Sequence, residues 1–188
     1  MNLLFVDFET TGLDPEIHEI IDIGCILCDA ETMEVIAELD CPVKPEHIET
    51  ATPIALAVNG YKAADWKEAC SLAAGYEAFQ KLSIGAVFTA QNVCFDYGFH
   101  LAALKKLGLK ENMNYHRLDV GSMAFPLIQP YVLSLDKLRL VLSMQPEPAP
   151  HRGIHGARAE YELVLKLRRM AEAGTKLIDS SCMLSTAV

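Results

Sequence analysis

The stretch Leu3-Leu4-Phe5-Val6-Asp7-Phe8-Glu9-Thr10-Thr11-Gly12-Leu13 decides the fold, because it sets two carboxylates into what otherwise reads as a buried strand. Side chains of a strand alternate between faces, so Leu3, Phe5, Asp7 and Glu9 share one face and Leu4, Val6 and Phe8 the other. A strand that begins apolar on both faces belongs in the middle of a sheet covered by helices, where unpaired negative charges are costly. Two unit charges about 4 Å apart repel by roughly 4 kcal/mol at an effective dielectric of about 20, and desolvation adds to that. A proton, a basic side chain or a divalent cation must offset the repulsion, and hard cations such as magnesium or manganese take oxygen ligands of this kind. The bland alternative ends the strand at Val6 and leaves Asp7 to Gly12 as a solvated turn.

With 188 residues the chain is expected to form one domain with a substantial core. No apolar run reaches the roughly 20 residues needed to cross a bilayer, and Asp7 and Glu9 interrupt the first apolar segment too early for a signal peptide. A cytoplasmic location away from membranes is the expectation. The six cysteines lack a paired zinc-type spacing. Cys25 and Cys28 lie three apart in an apolar run, which puts them on opposite faces of a strand as small core residues. A net charge of -9 argues against a broad basic surface that grips long duplex. It leaves room for an enzyme that works at a strand end, where bound cations supply positive charge locally.

Outward from the first strand, Glu19 to Asp29 and Glu34 to Asp40 complete a three-stranded meander. A Pro-containing connection to Gly60 holds one helical turn around Pro53 to Val58. Trp66 to Leu82 has helical spacing, Ala86 to Ala90 reads as a core strand, and a helix follows from about Phe95 or Asp96 to Leu107. Asn114 to Val120 offers a fifth strand, Ser134 to Ser143 a helix with Ser134 as its cap, and Gln145 to Gly156 a Pro-, His- and Gly-rich loop. Ala157 to Ala173 is the last strong helix, with Glu160, Leu163, Val164, Leu167 and Ala171 along one stripe. The sum is an α/β fold, a mixed five-stranded sheet flanked by helices.

Asp96 alone reads as a helix cap. Glu160 is more informative, because its carboxylate shares the apolar stripe that faces the sheet. His155 precedes it by five residues, a turn of about 500° along an ideal helix, so the two converge only if His155 lies in the loop before the helix. Asp119 reads as the end of a strand or a cap, and His151 as a solvated loop residue.

Taken in order, Asp7-Phe8-Glu9-Thr10-Thr11-Gly12-Leu13, Asn92-x-x-Phe95-Asp96 and His155-x-Ala157-x-x-Glu160 resemble the three motifs of the DEDDh (DnaQ-like) 3'-5' exonucleases, which have an RNase H-like fold. The resemblance spans roughly residues 1 to 172 and implies an exonuclease domain over 1–174. It leaves 175–188 as a C-terminal tail, disordered or bound to a partner. It also implies that Asp7, Glu9, Asp96 and Glu160 hold two Mg2+ or Mn2+ ions, which about 3.5–4 Å apart would clamp the scissile phosphate. His155 would be the general base, since an imidazole ordinarily titrates near about 6.5. Thr10, Thr11 and Leu13 match the segment against the terminal nucleotide, while Asn92 and Phe95 belong to the substrate-binding set. The related DEDDy branch carries a tyrosine at a spacing that here falls on Gly156.

The fourth acid of the family is aspartate, whereas position 160 is Glu, which moves the carboxylate by about 1.5 Å. The implied activity is removal of nucleoside 5'-monophosphates from single-stranded 3' ends, with DNA favoured over RNA and a polymerase or other nucleic-acid-processing protein as partner. The alternatives are a 3'-5' exoribonuclease, or a binding and assembly module whose chemistry is weakened at Glu160.

Overall fold

The computed structural model describes residues 1–128 and 133–174 in full, together with the backbone of 129, 178 and 179. Strand β1 (Asn2–Thr10) is the centre of a five-stranded sheet. On one side it pairs antiparallel with β2 (Ile20–Asp29), and β2 with β3 (Val35–Pro42). On the other it pairs parallel with β4 (Val87–Ala90), and β4 with β5 (Arg117–Asp119), so the expected mixed sheet is formed. β1 therefore does not stop at Val6, and the solvated-turn reading fails. Asp7 sits opposite Gly24 and Glu9 opposite Asp22 inside the ladder.

The alternation read from the first strand divides the core into two layers. Leu3 and Phe5 pack with Ile26 and Cys28 against α4 (Val120–Ala124), α5 (Leu135–Val141) and α6 (Gly153–Glu172). Leu4, Val6 and Phe8 pack with Cys25 against α2 (Leu72–Ser83) and α3 (Val93–Leu107). Cys25 and Cys28 are both buried, one in each layer, as their three-residue spacing implies. Burying apolar area on both faces at about 25 cal/mol per Å² is what holds β1 in the centre and carries the carboxylates with it.

The short helix α1 (Pro53–Asn59) begins with Pro at its first position and Thr52 as its cap, and Asn59 anchors it by donating to the Thr10 carbonyl at 3.1 Å. Two boundaries differ from the sequence reading. Trp66 to Glu68 is turn and Cys70 bridges to Val43 rather than forming helix: the Ser71 hydroxyl accepts from Ala74 N–H and starts α2 there, while Trp66 Nε1 donates to the Ile21 carbonyl at 2.8 Å. α6 starts at Gly153, four residues early, because Gly153 and Gly156 let its first turn press onto the sheet; a Cβ on Gly24 would lie 1.7 Å from the Gly153 carbonyl carbon. In the tail, the backbone of β7 (Ile178–Asp179) pairs parallel with that of β6 (Ile128–Gln129). The remainder of 175–188 lies outside the described residues. Among the described residues, no helix is long and apolar enough to cross a membrane.

Candidate active site

Parallel pairing of β1 with β4 puts the carboxyl ends of both strands at one edge, where loops from several elements converge. β1 delivers Asp7 and Glu9 there, and Glu9 is 8% exposed. The first turn of α3 delivers Asp96, 3% exposed, whose Oδ1 accepts the Phe8 N–H at 2.9 Å. Asp96 is therefore no simple cap: Asn92 occupies the cap position in a left-handed conformation, φ 54°. α6 delivers Glu160, fully buried, whose Oε1 accepts the Gln91 N–H just past β4 at 2.6 Å. The extra methylene of Glu160 is used to reach that amide. Its Oε2 is buried without a hydrogen bond, in a setting where a lone carboxylate oxygen is expensive.

The electrostatics follow from this crowding. Burial, then the charges of Asp96, Glu160, Glu9 and Glu147, drive the Asp7 carboxyl well above its ordinary value. Burial, then the charge of Glu147, pushes Glu9 up to about 8. Asp96 rises to about 7 through burial, opposed by the Phe8 amide, and Glu160 goes well up through burial and the Asp96 charge. Asp7 keeps part of its surface open to solvent, yet α6 lies hard against its carboxyl: a Cβ on Gly156 would fall 2.4 Å from Asp7 Oδ2. That contact leaves no space for a tyrosine at position 156. Without a counter-ion the cluster is held together only by retaining protons near neutral pH.

Asp7, Glu9, Asp96 and Glu160 are thus brought together, and His155 is not. Its place in the first turn of α6, with its N–H on the Arg152 carbonyl, overturns the expectation of a loop position. The imidazole turns instead into a cavity lined by Arg139, Met144, Gln145 and Pro148 among others, none of them one of the four acids. Its Nδ1 is buried there without a hydrogen-bond partner. The five-residue rotation argued from the sequence explains the separation, since the helix starts early enough to include both residues.

Of the substrate candidates, Leu13 is 81% exposed at the turn after β1. The hydroxyls of Thr10 and Thr11 are engaged internally, Thr10 donating to the Gly12 carbonyl at 2.7 Å and Thr11 accepting from Glu19 N–H at 2.9 Å. They shape the turn that presents Leu13. Beside it α1 exposes Ile54 and Val58, and the Thr52 N–H ties that helix to the Thr11 carbonyl. Asn92 is exposed, and Phe95 is half-buried with its ring 5.1 Å from that of Phe99. Asp119 behaves as expected, capping α4 and accepting Val93 N–H at 3.0 Å.

Two contributors went unread in the sequence. Glu147, between Pro146 and Pro148, turns into the acid cluster, and Arg152 pairs with buried Asp22 and lowers the Glu9 carboxyl. No local pattern marks Glu147, because contacts with α5 and α1 set the course of its segment.

Comparison with known proteins fits this geometry. The DNA polymerase III PolC-type of Thermotoga petrophila is 28% identical over 172 residues, covering 90% of this chain and 12% of the polymerase. The oligoribonuclease of Photobacterium profundum is 57% identical over 37 residues, 20% of each chain. The chain therefore spans only a small part of these relatives. Among solved structures, the nuclease domain of 3'hExo, a DEDDh family member bound to rAMP, superposes with a TM-score of 0.70 at 19% identity, covering 94% of both chains. E. coli exonuclease I in complex with a dA16 oligonucleotide gives a TM-score of 0.77 at 18% identity, over 92% of this chain and 42% of that one. The fold is the RNase H-like fold of these exonucleases. The sequence profile of the RNase_T exonucleases matches residues 4–164, and with the acids gathered as described, the chain belongs to that exonuclease family.

Proposed function

We propose that residues 1–174 form a divalent-metal-dependent 3'-5' exonuclease that releases nucleoside 5'-monophosphates from single-stranded 3' ends, with DNA the preferred polymer. The observation that carries this reading is the buried, unpartnered Oε2 of Glu160 within a cluster of mutually repelling carboxyls. Oxygen donors from β1, α3 and α6 and an orphaned carboxylate oxygen fit hard cations. Asp7, Glu9, Asp96 and Glu160 would hold a pair of Mg2+ or Mn2+ ions, which when bound supply charge stabilisation at the phosphate and a more acidic water.

The protein's own part is positional. The Phe8 and Gln91 amides fix the Asp96 and Glu160 carboxylates before substrate arrives, so little reorganisation accompanies the reaction. Exposed Leu13, Ile54 and Val58 give the terminal base an apolar surface beside the acids. Asn92 and Phe95 stand on the same turn as Asp96, within reach of the penultimate nucleotide. His155 accepts the water's proton once the first turn of α6 opens and lets its ring swing to the acids, since within the closed helix the two face different sides.

The DNA preference is supported by the PolC-type match, which runs over 90% of the chain, and a polymerase is accordingly the favoured partner. The second reading, an exoribonuclease, is favoured by the 37-residue oligoribonuclease match. Incubation with 5'-labelled single-stranded DNA and RNA, with Mn2+, Mg2+ or EDTA, tests both. The expected result is a metal-dependent ladder shortening from the 3' end, faster on DNA. A ladder on RNA alone assigns the second reading, and binding without any ladder overturns the enzymatic one.

A further inference from the structure

We propose that Glu9, Glu147 and His151 form a binding site for a divalent transition cation beside the acid cluster. The proposal rests on the nuclease reading of that cluster. One ligand atom from each of the three residues lies within 4.8 Å of the others. Independently, the Glu147 side chain is only 7% exposed and its Oε1 is buried without a hydrogen bond, while Oε2 lies 3.4 Å from His151 Nδ1.

A glutamate between two prolines on a surface segment is free to face water. Here it is buried beside Glu9, where burial raises both carboxyls. The backbone that carries it is held at both ends. Gln145 O accepts Arg139 Nε at 2.7 Å, and Glu147 N–H donates to Asp136 Oδ1 at 3.0 Å. His151 N–H donates to the Val58 carbonyl of α1 at 3.3 Å. The segment thus bridges α5 and α1, and the two side chains it presents converge with Glu9 on one point. Two carboxylates and an imidazole make a mixed oxygen and nitrogen set, unlike the all-oxygen set of Asp7, Glu9, Asp96 and Glu160. Imidazole shifts preference away from Mg2+ and toward the transition series.

The test is calorimetric titration of the whole protein with Mn2+ in saturating Mg2+. Mn2+ is chosen because, as a hard cation, it has little affinity for thiols. The wild type is expected to take up Mn2+ at a site that Mg2+ does not fill. His151→Gln and, separately, Glu147→Gln should weaken that uptake at least about 10-fold, as losses around metal sites commonly do. Melting curves identify a variant that has lost its fold, in which case the other decides. Uptake by folded His151→Gln or Glu147→Gln equal to wild type, or wild-type Mn2+ fully displaced by Mg2+, overturns the proposal. Failure of the nuclease reading is seen separately, as absence of nucleotide release by the wild type in either metal.

Discussion

Raising the pH of the metal-free protein should lower its heat stability, and the size of the effect follows from the acid cluster. In the folded chain Glu9 is pushed up to about 8 and Asp96 to about 7, against 4.5 and 3.8 in the open chain. Between about pH 5 and 7 the unfolded state has therefore shed protons that the folded state retains, and stability falls as pH rises. Each such group contributes about 1.4 kcal/mol per pH unit. His100 pulls the other way: burial lowers its imidazole, so its contribution grows as pH rises toward its ordinary 6.5. Two acids against one histidine leave a net loss of about 1.4 kcal/mol per pH unit, with Asp7 and Glu160 adding to it. At roughly 2–4 °C per kcal/mol for a chain of this size, the melting temperature in EDTA should fall by at least about 3–6 °C per pH unit. Saturating Mn2+ should remove the slope, because a bound cation takes over the role of the protons. Scanning fluorimetry across this range checks it; a metal-free melting temperature that is flat or rises, or a slope that Mn2+ leaves intact, refutes the reasoning.

Glu160→Asp shortens the side chain by about 1.5 Å, enough to break the 2.6 Å bond to Gln91 N–H. Loss of a hydrogen bond of about 0.5–1.5 kcal/mol should lower the melting temperature by roughly 1–6 °C. Nucleotide release should fall below about one tenth, and activity retained or raised would show that the Gln91 contact is dispensable. Gly156→Ala drives a methyl to 2.4 Å from Asp7 Oδ2. A stability loss of about 1–3 kcal/mol and at least a tenfold fall in kcat are expected, measured by denaturation and by release assays. His155→Gln should reduce kcat about 100-fold or more with substrate affinity kept; an unchanged kcat assigns the proton to another group.

The central strand was legible because its two faces are independently apolar. Leu3 and Phe5 on one side, and Leu4, Val6 and Phe8 on the other, require cover on both, which draws Asp7 and Glu9 into the covered sheet. Glu160 was legible for the same reason, as a charge within a stripe of Leu163, Val164 and Leu167. Trp66 misled because its spacing from Cys70 mimics a helical face, whereas its indole is held by the distant Ile21 carbonyl. The start of α6 depends on the fit of Gly153 and Gly156 against Gly24 and Asp7, a contact between segments that no local pattern encodes. The displacement of His155 follows from that start. Glu147 was unreadable because partners on α5 and α1 set the course of its segment.

The central claim is that side chains from β1, α3 and α6 meet because they share divalent cations. Mn2+ titration of wild type and Asp96→Asn at neutral pH, repeated in two buffers of different ionisation enthalpy, tests it most directly. Wild type is expected to take up Mn2+ with release of protons, since burial and crowding raise the Asp7, Glu9 and Glu160 carboxyls and a bound cation displaces their protons, and the variant to take it up at least about tenfold more weakly. Uptake without proton release, or equal affinity in both proteins, would contradict it.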